Sequence, residues 1–368
     1  MLHLAGTRSM RAAVLLGLSL ALIGLPTFSE AAATRTRRAV KSSSPKKATK
    51  ASTRRSSSTR RATTRYSASK SRQRRLAMAR ARQAAYARQL LAVQTPQFKA
   101  GADGQMVPDV RAGAAIIYNP ATHQVLYESN AQTPRSIASI TKVMTAVAFL
   151  ENEVDFTREV TVHPEDLRGA STTFLRRNDR VTVQQLLHLL LIGSDNVAAR
   201  TLARASIYGP LGFVERMNQK AAELGLSNTR YYDPSGLYAD NMSSAFDMAR
   251  LISFAAGDER IASIMRTKDY EFTSPTRKRS VTLHNTNHLV GSDVDVRGGK
   301  TGFISKSGYC LATLLRLPQG DQVAVVVLGA KSNPARFWET RHLFNWLTAK
   351  ASDIFETPVN AATPAVAQ

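Results

Sequence analysis

Apolar residues along this chain of 368 residues follow two spacings, one typical of strands and one typical of helices. The segment "AGAAIIYNPATHQVLYES" (112–129) has two apolar stretches around the turn signal "NPAT", which predicts an antiparallel hairpin. A helix is predicted next, because apolar residues then recur at the spacing of one buried helical face. The residues on that face are Val143, Met144, Val147 and Leu150.

Helical spacing continues through the middle of the chain. Residues 182–206 predict two helices with an interruption between them, and 211–226 predict a further helix with a stop signal at Gly225. Strand-like patterning returns over 300–330, where "PQGD" is a hairpin turn, before a last helix over 335–351.

Strands at both ends of this pattern, with helices between them, predict that the two ends meet in one antiparallel sheet. A sheet must be covered to bury its apolar face, so the fold class expected is α+β, with helices covering the sheet and a helical subdomain. Phe337, Phe344 and Leu347 in the last helix are expected to be core residues. We find no internal repeat.

The first residues carry the features of an export signal. Arg8 and Arg11 precede an apolar run from about residue 12 to 25, and small residues follow at 31–33. The run is too short for an ordinary membrane span, so residues 1–33 predict a secretory signal peptide, and an uncleaved anchor is the alternative. The protein is therefore expected in the periplasm or cell envelope.

The formal net charge of +23 is concentrated in one segment. Residues 31–100 contain 20 Lys and Arg and no acid, whereas 101–368 are nearly balanced. The segment 34–100 is rich in Ser, Thr and Ala and poor in large apolar residues, which predicts a disordered basic tail. Within it, 74–93 is a candidate helix on contact with an anionic surface, and a solvated linker is the alternative.

Export decides which partners such a tail is expected to have. Nucleic acid is the usual partner of a basic tail in a cytoplasmic protein, and we do not expect it here. Anionic lipid head groups, lipopolysaccharide or cell-wall carboxylates are the expected counter-ions. Residues 101–351 are expected to be the folded domain, and 352–368 a loose tail.

Cysteine and histidine give no sign of a metal or a cofactor. Cys310 is the single cysteine, so no internal disulfide forms, and its strand-like surroundings predict a buried small hydrophobe. His284 and His288 are four residues apart without a third ligand or an HExxH pattern, so ordinary polar roles are expected. No GxSxG motif supports a Ser/His/Asp hydrolase.

Three short motifs carry the chemistry. Ser139 and Lys142 form SxxK at the start of the predicted helix, in "RSIASITKVMTA". Three other SxxK pairs lie in the tail, where no helical pattern follows; they are Ser43/Lys46, Ser44/Lys47 and Ser67/Lys70. "SDN" at 194–196 and "KTG" at 300–302 each occur once and follow in the order known for penicillin-recognising serine enzymes.

From about 108 to 350 the chain resembles the low-molecular-mass serine penicillin-binding proteins, D-alanyl-D-alanine peptidases that act on peptidoglycan. The resemblance rests on the three motifs and on "YYDPSGLYADNMSSAFDMARL", "NTNHLV" and "GGKTGFISKSGYCL". It covers none of the basic tail. It implies the penicillin-binding-protein/β-lactamase-like transpeptidase fold, peptidoglycan peptides as substrates and β-lactams as covalent inhibitors.

Elementary chemistry supports the first motif as a catalytic pair. A serine hydroxyl is a poor nucleophile unless a base takes its proton, and residues three apart share a helix face, so Lys142 can reach Ser139. Lys142 must be neutral to act as a base, which burial and the nearby cation Lys300 favour. The Ser139 amide, in a first helical turn, points toward developing negative charge.

The resemblance also implies roles across the cleft. Ser194 would relay a proton, and Asn196 would hold a substrate amide and Lys142. Lys300 and Thr301 would bind the terminal carboxylate of the substrate. The amide of Phe303 would complete the oxyanion hole. Gly302 has no side chain, so substrate can lie against that strand as an added β partner.

Two other functions compete with this one. A class A β-lactamase needs a glutamate that activates water, and "ERMN" (215–218) offers Glu215, but it lies inside an amphipathic helix only 19 residues after Asn196. We therefore expect Glu215 to be a solvated helix residue. A non-catalytic wall-binding protein with a functional tail is disfavoured by the intact motif set.

The remaining alternative is between carboxypeptidase and endopeptidase. Carboxypeptidases of this family often carry an extra β-rich domain and an amphipathic C-terminal anchor, and only 66 residues follow Gly302 here. "KTGFISKSGYCL" resembles the endopeptidase branch, which cuts D-alanyl to diaminopimelate cross-links. Endopeptidase action is expected, with release of terminal D-Ala as the alternative.

Overall fold

A computed structural model describes residues 58–101, 104–170, 173–276 and 278–355. The predicted signal peptide and the last thirteen residues of the predicted C-terminal tail lie outside the described residues. Contacts divide the chain into two units, Met1–Ala68 and Ser69–Gln368. The elements that position the candidate site all lie in the second unit.

The helices of the described residues are numbered in chain order. They are α1 (Ser58–Gln94), α2 (Thr141–Phe149), α3 (Val183–Leu191), α4 (Asn196–Ala205), α5 (Gly209–Glu223), α6 (Ala245–Ala256), α7 (Glu259–Arg266) and α8 (Asn333–Phe355). A short 3-10 helix over Ala138–Ile140 directly precedes α2. None of these helices is both long enough and apolar enough to cross a membrane.

The strands are also numbered in chain order. They are β1 (Phe98–Ala100), β2 (Met106–Pro108), β3 (Ala114–Tyr118), β4 (Val125–Ser129), β5 (Arg135–Ser136), β6 (Glu159–Thr161), β7 (Arg180–Thr182), β8 (Met242–Ser243), β9 (Asp269–Ser274), β10 (Arg279–His284), β11 (Asp295–Ile304), β12 (Gly308–Arg316) and β13 (Gln322–Ala330).

The main sheet joins the two ends of the domain, as the pattern predicted. Its five described strands are antiparallel in the order β11-β12-β13-β3-β4. β13 is central and almost wholly buried, which suits its run of valines, because branched side chains pack well on a pleated surface. β11 lies at the edge and carries the KTG motif.

Helices cover both faces of this sheet. α8 packs on one face, where Phe337, Phe344 and Leu347 join a core cluster with residues of β12 and β13, so their predicted core role is confirmed. α2 and α6 lie on the other face, in a larger cluster that includes the helical subdomain of α3, α4 and α5. The α+β fold with a covered antiparallel sheet is therefore confirmed.

The break between α3 and α4 is defined by side-chain caps. Thr182 forms a capping box with Gln185 at the start of α3. Asp195 caps α4 by accepting hydrogen bonds from the amides of Val197 (2.8 Å) and Ala198 (3.0 Å). The chain therefore stops one helix and starts the next within four residues, and the SDN motif occupies this break.

Of the segment 34–100 that was expected to be a disordered tail, residues 34–57 lie outside the described residues, and the described part forms regular structure. Residues 58–94 form the single helix α1, longer than the candidate helix at 74–93, and β1 at 98–100 pairs with β2 at 106–108. Alanine, arginine and glutamine are good helix formers, and that propensity does not require an apolar face. At the other end, α8 continues four residues beyond 351, to Phe355.

Candidate active site

Ser139 lies in the 3-10 turn that precedes α2, and two glycines approach its backbone. A Cβ on Gly302 would lie 2.5 Å from the carbonyl oxygen of Ile137 and 3.1 Å from the Ser139 nitrogen. A Cβ on Gly236 would lie only 2.0 Å from the Ala138 carbonyl oxygen. Only glycine permits both contacts, so β11 and the segment around Gly236 lie directly against the turn that carries the serine.

Lys142 is fully buried, and its ammonium group contacts three oxygen atoms. Its Nζ donates to Ser139 Oγ at 2.9 Å, to Asn196 Oδ1 at 2.8 Å and to the Ser235 carbonyl oxygen at 2.5 Å. The predicted contact between Ser139 and Lys142 is therefore present. The two residues are three positions apart at the start of a helix, as the motif required.

Burial also changes the proton affinity of this lysine. It lowers the pKa of Lys142 to about 7, although the carboxylates of Asp233 and Asp195 act in the opposite direction. Burial, rather than the charge of Lys300, is the principal cause. Near neutral pH a large fraction of Lys142 is therefore uncharged and able to accept a proton.

The SDN motif lies across the cleft from Ser139. Ser194 has a left-handed backbone (φ 57°) and lines the cleft, while Asn196 starts α4 and holds Lys142. Asp195 points inward, where its second oxygen accepts a hydrogen bond from the Phe174 amide at 2.7 Å. The third contact of Lys142 is the carbonyl of Ser235 rather than the hydroxyl of Ser194.

The KTG motif forms the opposite wall, on the edge strand β11. Thr301 and Gly302 line the cleft, and the Thr301 hydroxyl donates to the Thr286 hydroxyl at 2.7 Å. Lys300 is buried, and its Nζ donates to the Thr301 carbonyl at 3.0 Å. Burial and the charge of Lys142 lower the pKa of Lys300. Lys300 therefore lies beneath the cleft, whereas Thr301 lies at its surface.

Phe303 follows the glycine and marks where the cleft continues. Its side chain is 48% exposed and stacks on Tyr309 of β12, with ring centroids 4.2 Å apart. Its backbone directly follows Gly302, which lies against the turn that carries Ser139. The cleft has a volume of about 520 Å³ and extends past Phe303 to Ile304 and Ser305.

Two parts of the site were not identified from the sequence. One is the loop at 231–241, whose Ser235 holds Lys142 and whose Gly236 supports the serine turn; its turn signal "DPSG" was visible, but its contact with α2 was not. The other is Arg336 of α8, which lines the cleft and donates to the Gly302 carbonyl at 3.1 Å. No local signal marks Arg336, which lies 34 residues after Gly302.

The residues considered for other chemistry lie elsewhere. Glu215 is an exposed residue of α5, as expected. Cys310 is fully buried, and burial raises the pKa of its thiol. His284 contacts Asp269, and His288 stacks on Phe337. Among the residues that the structure describes, no group of three His, Cys, Asp or Glu side chains could hold a metal ion.

This fold, with SxxK, SDN and KTG meeting at one cleft, defines the class of serine penicillin-binding enzymes. Over residues 101–332 the chain matches the D-alanyl-D-alanine carboxypeptidase family. The chain belongs to this family of serine peptidases, which act on D-Ala-D-Ala peptides.

The similar proteins include some named endopeptidases and some named carboxypeptidases. The chain is 30% identical to the D-alanyl-D-alanine endopeptidase of Escherichia coli (strain K12), over 65% of this chain and 78% of the relative. It is 31% identical to the D-alanyl-D-alanine carboxypeptidase DacF of Bacillus subtilis (strain 168), over 65% of this chain and 63% of the relative. The solved structure of the Streptomyces K15 DD-transpeptidase is similar with a TM-score of 0.62 and 30% identity, covering 66% of this chain and 98% of that one.

Proposed function

We propose that this protein is an exported DD-endopeptidase that cuts D-alanyl cross-links of peptidoglycan through an acyl-enzyme on Ser139. The observation that carries the catalytic part is the contact of 2.9 Å between Ser139 Oγ and Lys142, a buried lysine whose pKa is about 7. A neutral amine at hydrogen-bond distance from a hydroxyl is the arrangement that general-base catalysis needs.

Acylation follows from these positions. Ser139 Oγ attacks the D-Ala carbonyl carbon while its proton passes to Lys142 Nζ. The amides of Ser139 and Phe303 donate to the oxygen that becomes negative. When the C–N bond breaks, the leaving amine takes the proton from Lys142, with Ser194 as the relay, and an ester remains on Ser139.

Deacylation reverses the proton transfers with water as the nucleophile. The water oxygen bonds to the ester carbonyl carbon while a water proton passes to Lys142. The bond from that carbon to Ser139 Oγ then breaks, Oγ takes the proton from Lys142, and the peptide leaves with a free carboxylate. Asn196 holds a substrate amide and the lysine. Thr301, supported by Lys300, binds the carboxylate that follows the cleaved bond. The exposed position of Glu215 supports a penicillin acyl-enzyme that breaks down slowly, unlike that of a class A β-lactamase.

The endopeptidase assignment rests on the far side of the cleft. In a cross-link, a bulky diaminopimelate residue replaces the terminal D-Ala, so space is needed beyond Thr301. The cleft continues there to Ser305. The similarity to relatives named endopeptidases, including one from Pseudomonas aeruginosa at 31% identity over 86% of its length, supports the same choice.

The test compares two substrates for one purified enzyme lacking residues 1–33. We expect it to convert cross-linked dimer into monomers faster than it releases D-Ala from monomeric pentapeptide, measured by mass spectrometry. Penicillin should block both reactions by labelling Ser139, and Ser139→Ala should abolish labelling and cleavage. Rapid D-Ala release with intact dimers would make the enzyme a carboxypeptidase with the same catalytic set.

The basic segment is proposed to bind an anionic surface of the cell envelope. Export is supported by the predicted signal peptide, and the exposed arginines of α1 between Arg72 and Arg88 are suited to an anionic envelope surface. Among the α1 side chains that the structure describes, the exposed large apolar residues are scattered among arginines, which does not favour insertion into a bilayer. Such a helix would hold the enzyme near its polymeric substrate through charge alone.

A further inference from the structure

The loop at 231–241 has an inner side that is held firmly against the catalytic residues. The Pro234 carbonyl accepts a hydrogen bond from Thr145 Oγ1 at 2.6 Å, and the Ser235 carbonyl accepts one from Lys142 at 2.5 Å. Asp233 closes the loop on itself by accepting hydrogen bonds from the Ser235 amide at 2.9 Å and from Asn241 Nδ2 at 2.6 Å. These bonds fix the loop relative to Ser139.

Its outer side presents two tyrosine rings to solvent. Tyr232 is 59% exposed and Tyr238 is 53% exposed, and their rings meet edge to face with centroids 5.6 Å apart and planes at 67°. Leu237, next to Tyr238, lines the catalytic cleft. The two rings therefore form an aromatic corner that is continuous with the cleft, and we call it the Tyr232/Tyr238 corner.

The charges of the loop determine which part of a peptidoglycan substrate suits this corner. Residues 231–241 contain no Lys or Arg, and Asp240 is exposed. Within residues 231–241, a free carboxylate of a stem peptide would meet a negative charge and no cation. A neutral sugar ring instead offers a C–H face for an aromatic ring and hydroxyl and acetamido groups for the phenol hydroxyls.

The distance between Ser139 and the corner also favours a sugar ring as the partner. A Cβ on Gly236 would be 3.0 Å from the Ser139 nitrogen, and Tyr238 is two residues further along, at most about 7 Å of chain before its own side chain begins. A stem of four residues spans at most about 14 Å when extended. The corner therefore lies within reach of the sugar that carries a stem bound at Ser139.

We propose that the Tyr232/Tyr238 corner is a subsite for a neutral N-acetylated sugar ring of the glycan strand whose stem peptide is cut at Ser139. The inference rests on the proposed peptidoglycan-cutting function and adds a glycan contact to it. This glycan contact makes the enzyme prefer stem peptides that are still attached to glycan over free peptides.

The first experiment measures this preference in the full chain. Two cross-linked dimers are compared, one carrying its disaccharides and one from which the sugars have been removed. The wild type should cut the sugar-bearing dimer about 10-fold more efficiently in kcat/KM. The variants Tyr232→Ala and Tyr238→Ala should lose most of that ratio mainly through KM, while Tyr238→Phe, which keeps the ring face and loses one hydroxyl, should keep the larger part of it. The exposed-tyrosine control Tyr86→Ala should change nothing.

The rate of penicillin acylation distinguishes a damaged active site from the loss of a sugar contact. This rate should be unchanged in both alanine variants, because hydrogen bonds of Thr145, Lys142 and Asp233, and not the rings, hold the loop. An equal loss for both dimers would place the stem peptide on the corner and overturn the sugar proposal. Unchanged ratios in both variants would also overturn it.

A second measurement does not depend on hydrolysis. Saturation-transfer NMR with tri-N-acetylchitotriose should detect binding to the penicillin-blocked wild-type chain and a clear loss of signal with Tyr238→Ala. Equal signals for the two proteins would refute the subsite even if dimers are cut. If dimers are not cut while chitotriose binds in a Tyr238-dependent way, the endopeptidase proposal fails and the sugar subsite stands.

Discussion

Basic side chains occur both in the cleft and on the helix α1, but their environments are opposite. Lys142 and Lys300 are buried, and burial lowers the pKa of each. The α1 arginines between Arg72 and Arg88 are exposed. Removing an ammonium group from water penalises its charged form, whereas an exposed guanidinium remains charged at every physiological pH.

The difference explains which residue type occupies each region. Lysine can lose its proton when it is buried and can then act as a base, whereas arginine cannot. In the cleft even buried Arg336 keeps a pKa of about 10, so it stays cationic beside the lysines. The cleft therefore places a lysine that is partly neutral near pH 7 next to Ser139, whereas α1 carries exposed arginines.

The largest effect is expected from removing the buried base. Lys142→Ala should lower the rate of penicillin acylation of Ser139 by about 10² to 10⁴, the usual contribution of general-base assistance. Ser194→Ala should cost less, because Ser194 is proposed to pass the proton on only after Lys142 has taken it. Stopped-flow acylation measures both, and Lys306→Ala is the exposed-lysine control.

Circular dichroism must show that each variant is folded. Small, equal losses for Lys142→Ala and Ser194→Ala would remove Lys142 from the role of base.

The pH dependence of acylation distinguishes a buried lysine from an exposed one. Lys142 must be uncharged to accept a proton, and its pKa is about 7, so the rate should rise with pH with a midpoint near 7 and fall about tenfold per unit below it. Asp233→Asn should move the midpoint lower, because the Asp233 carboxylate raises this pKa. A midpoint near 10 would mean that Lys142 titrates as an exposed lysine does.

The smallest effect on catalysis is expected from neutralising α1. Six arginines are changed to glutamine, which also favours helix, so the helix is retained. They are Arg72, Arg74, Arg75, Arg80, Arg82 and Arg88. The rate on soluble substrate should not change, while retention on anionic sacculi at low salt should fall.

Salt provides the control for that prediction. Retention of the wild type should weaken toward that of the variant as the Debye length shrinks from about 10 Å at 0.1 M to about 3 Å at 1 M salt. If the variant and the wild type are retained equally at low salt, α1 is only a spacer.

Local patterns were enough to predict most elements of the domain. The hairpin of β3 and β4, the broken helix around SDN and the closing strands were all visible, because each depends on residues close in sequence. α1 was harder to predict, because its segment has the composition of a disordered tail and also a high helix propensity. Composition alone does not decide between these two states.

What the sequence determined by itself was the pairing of Ser139 with Lys142, because three positions on a helix fix their separation. What only the tertiary structure decided was the state of that lysine. Ser235, 93 residues away, and Asn196, 54 residues away, enclose its ammonium group. A pKa depends on all the atoms that displace water around a group, and those atoms come together only when the chain is folded.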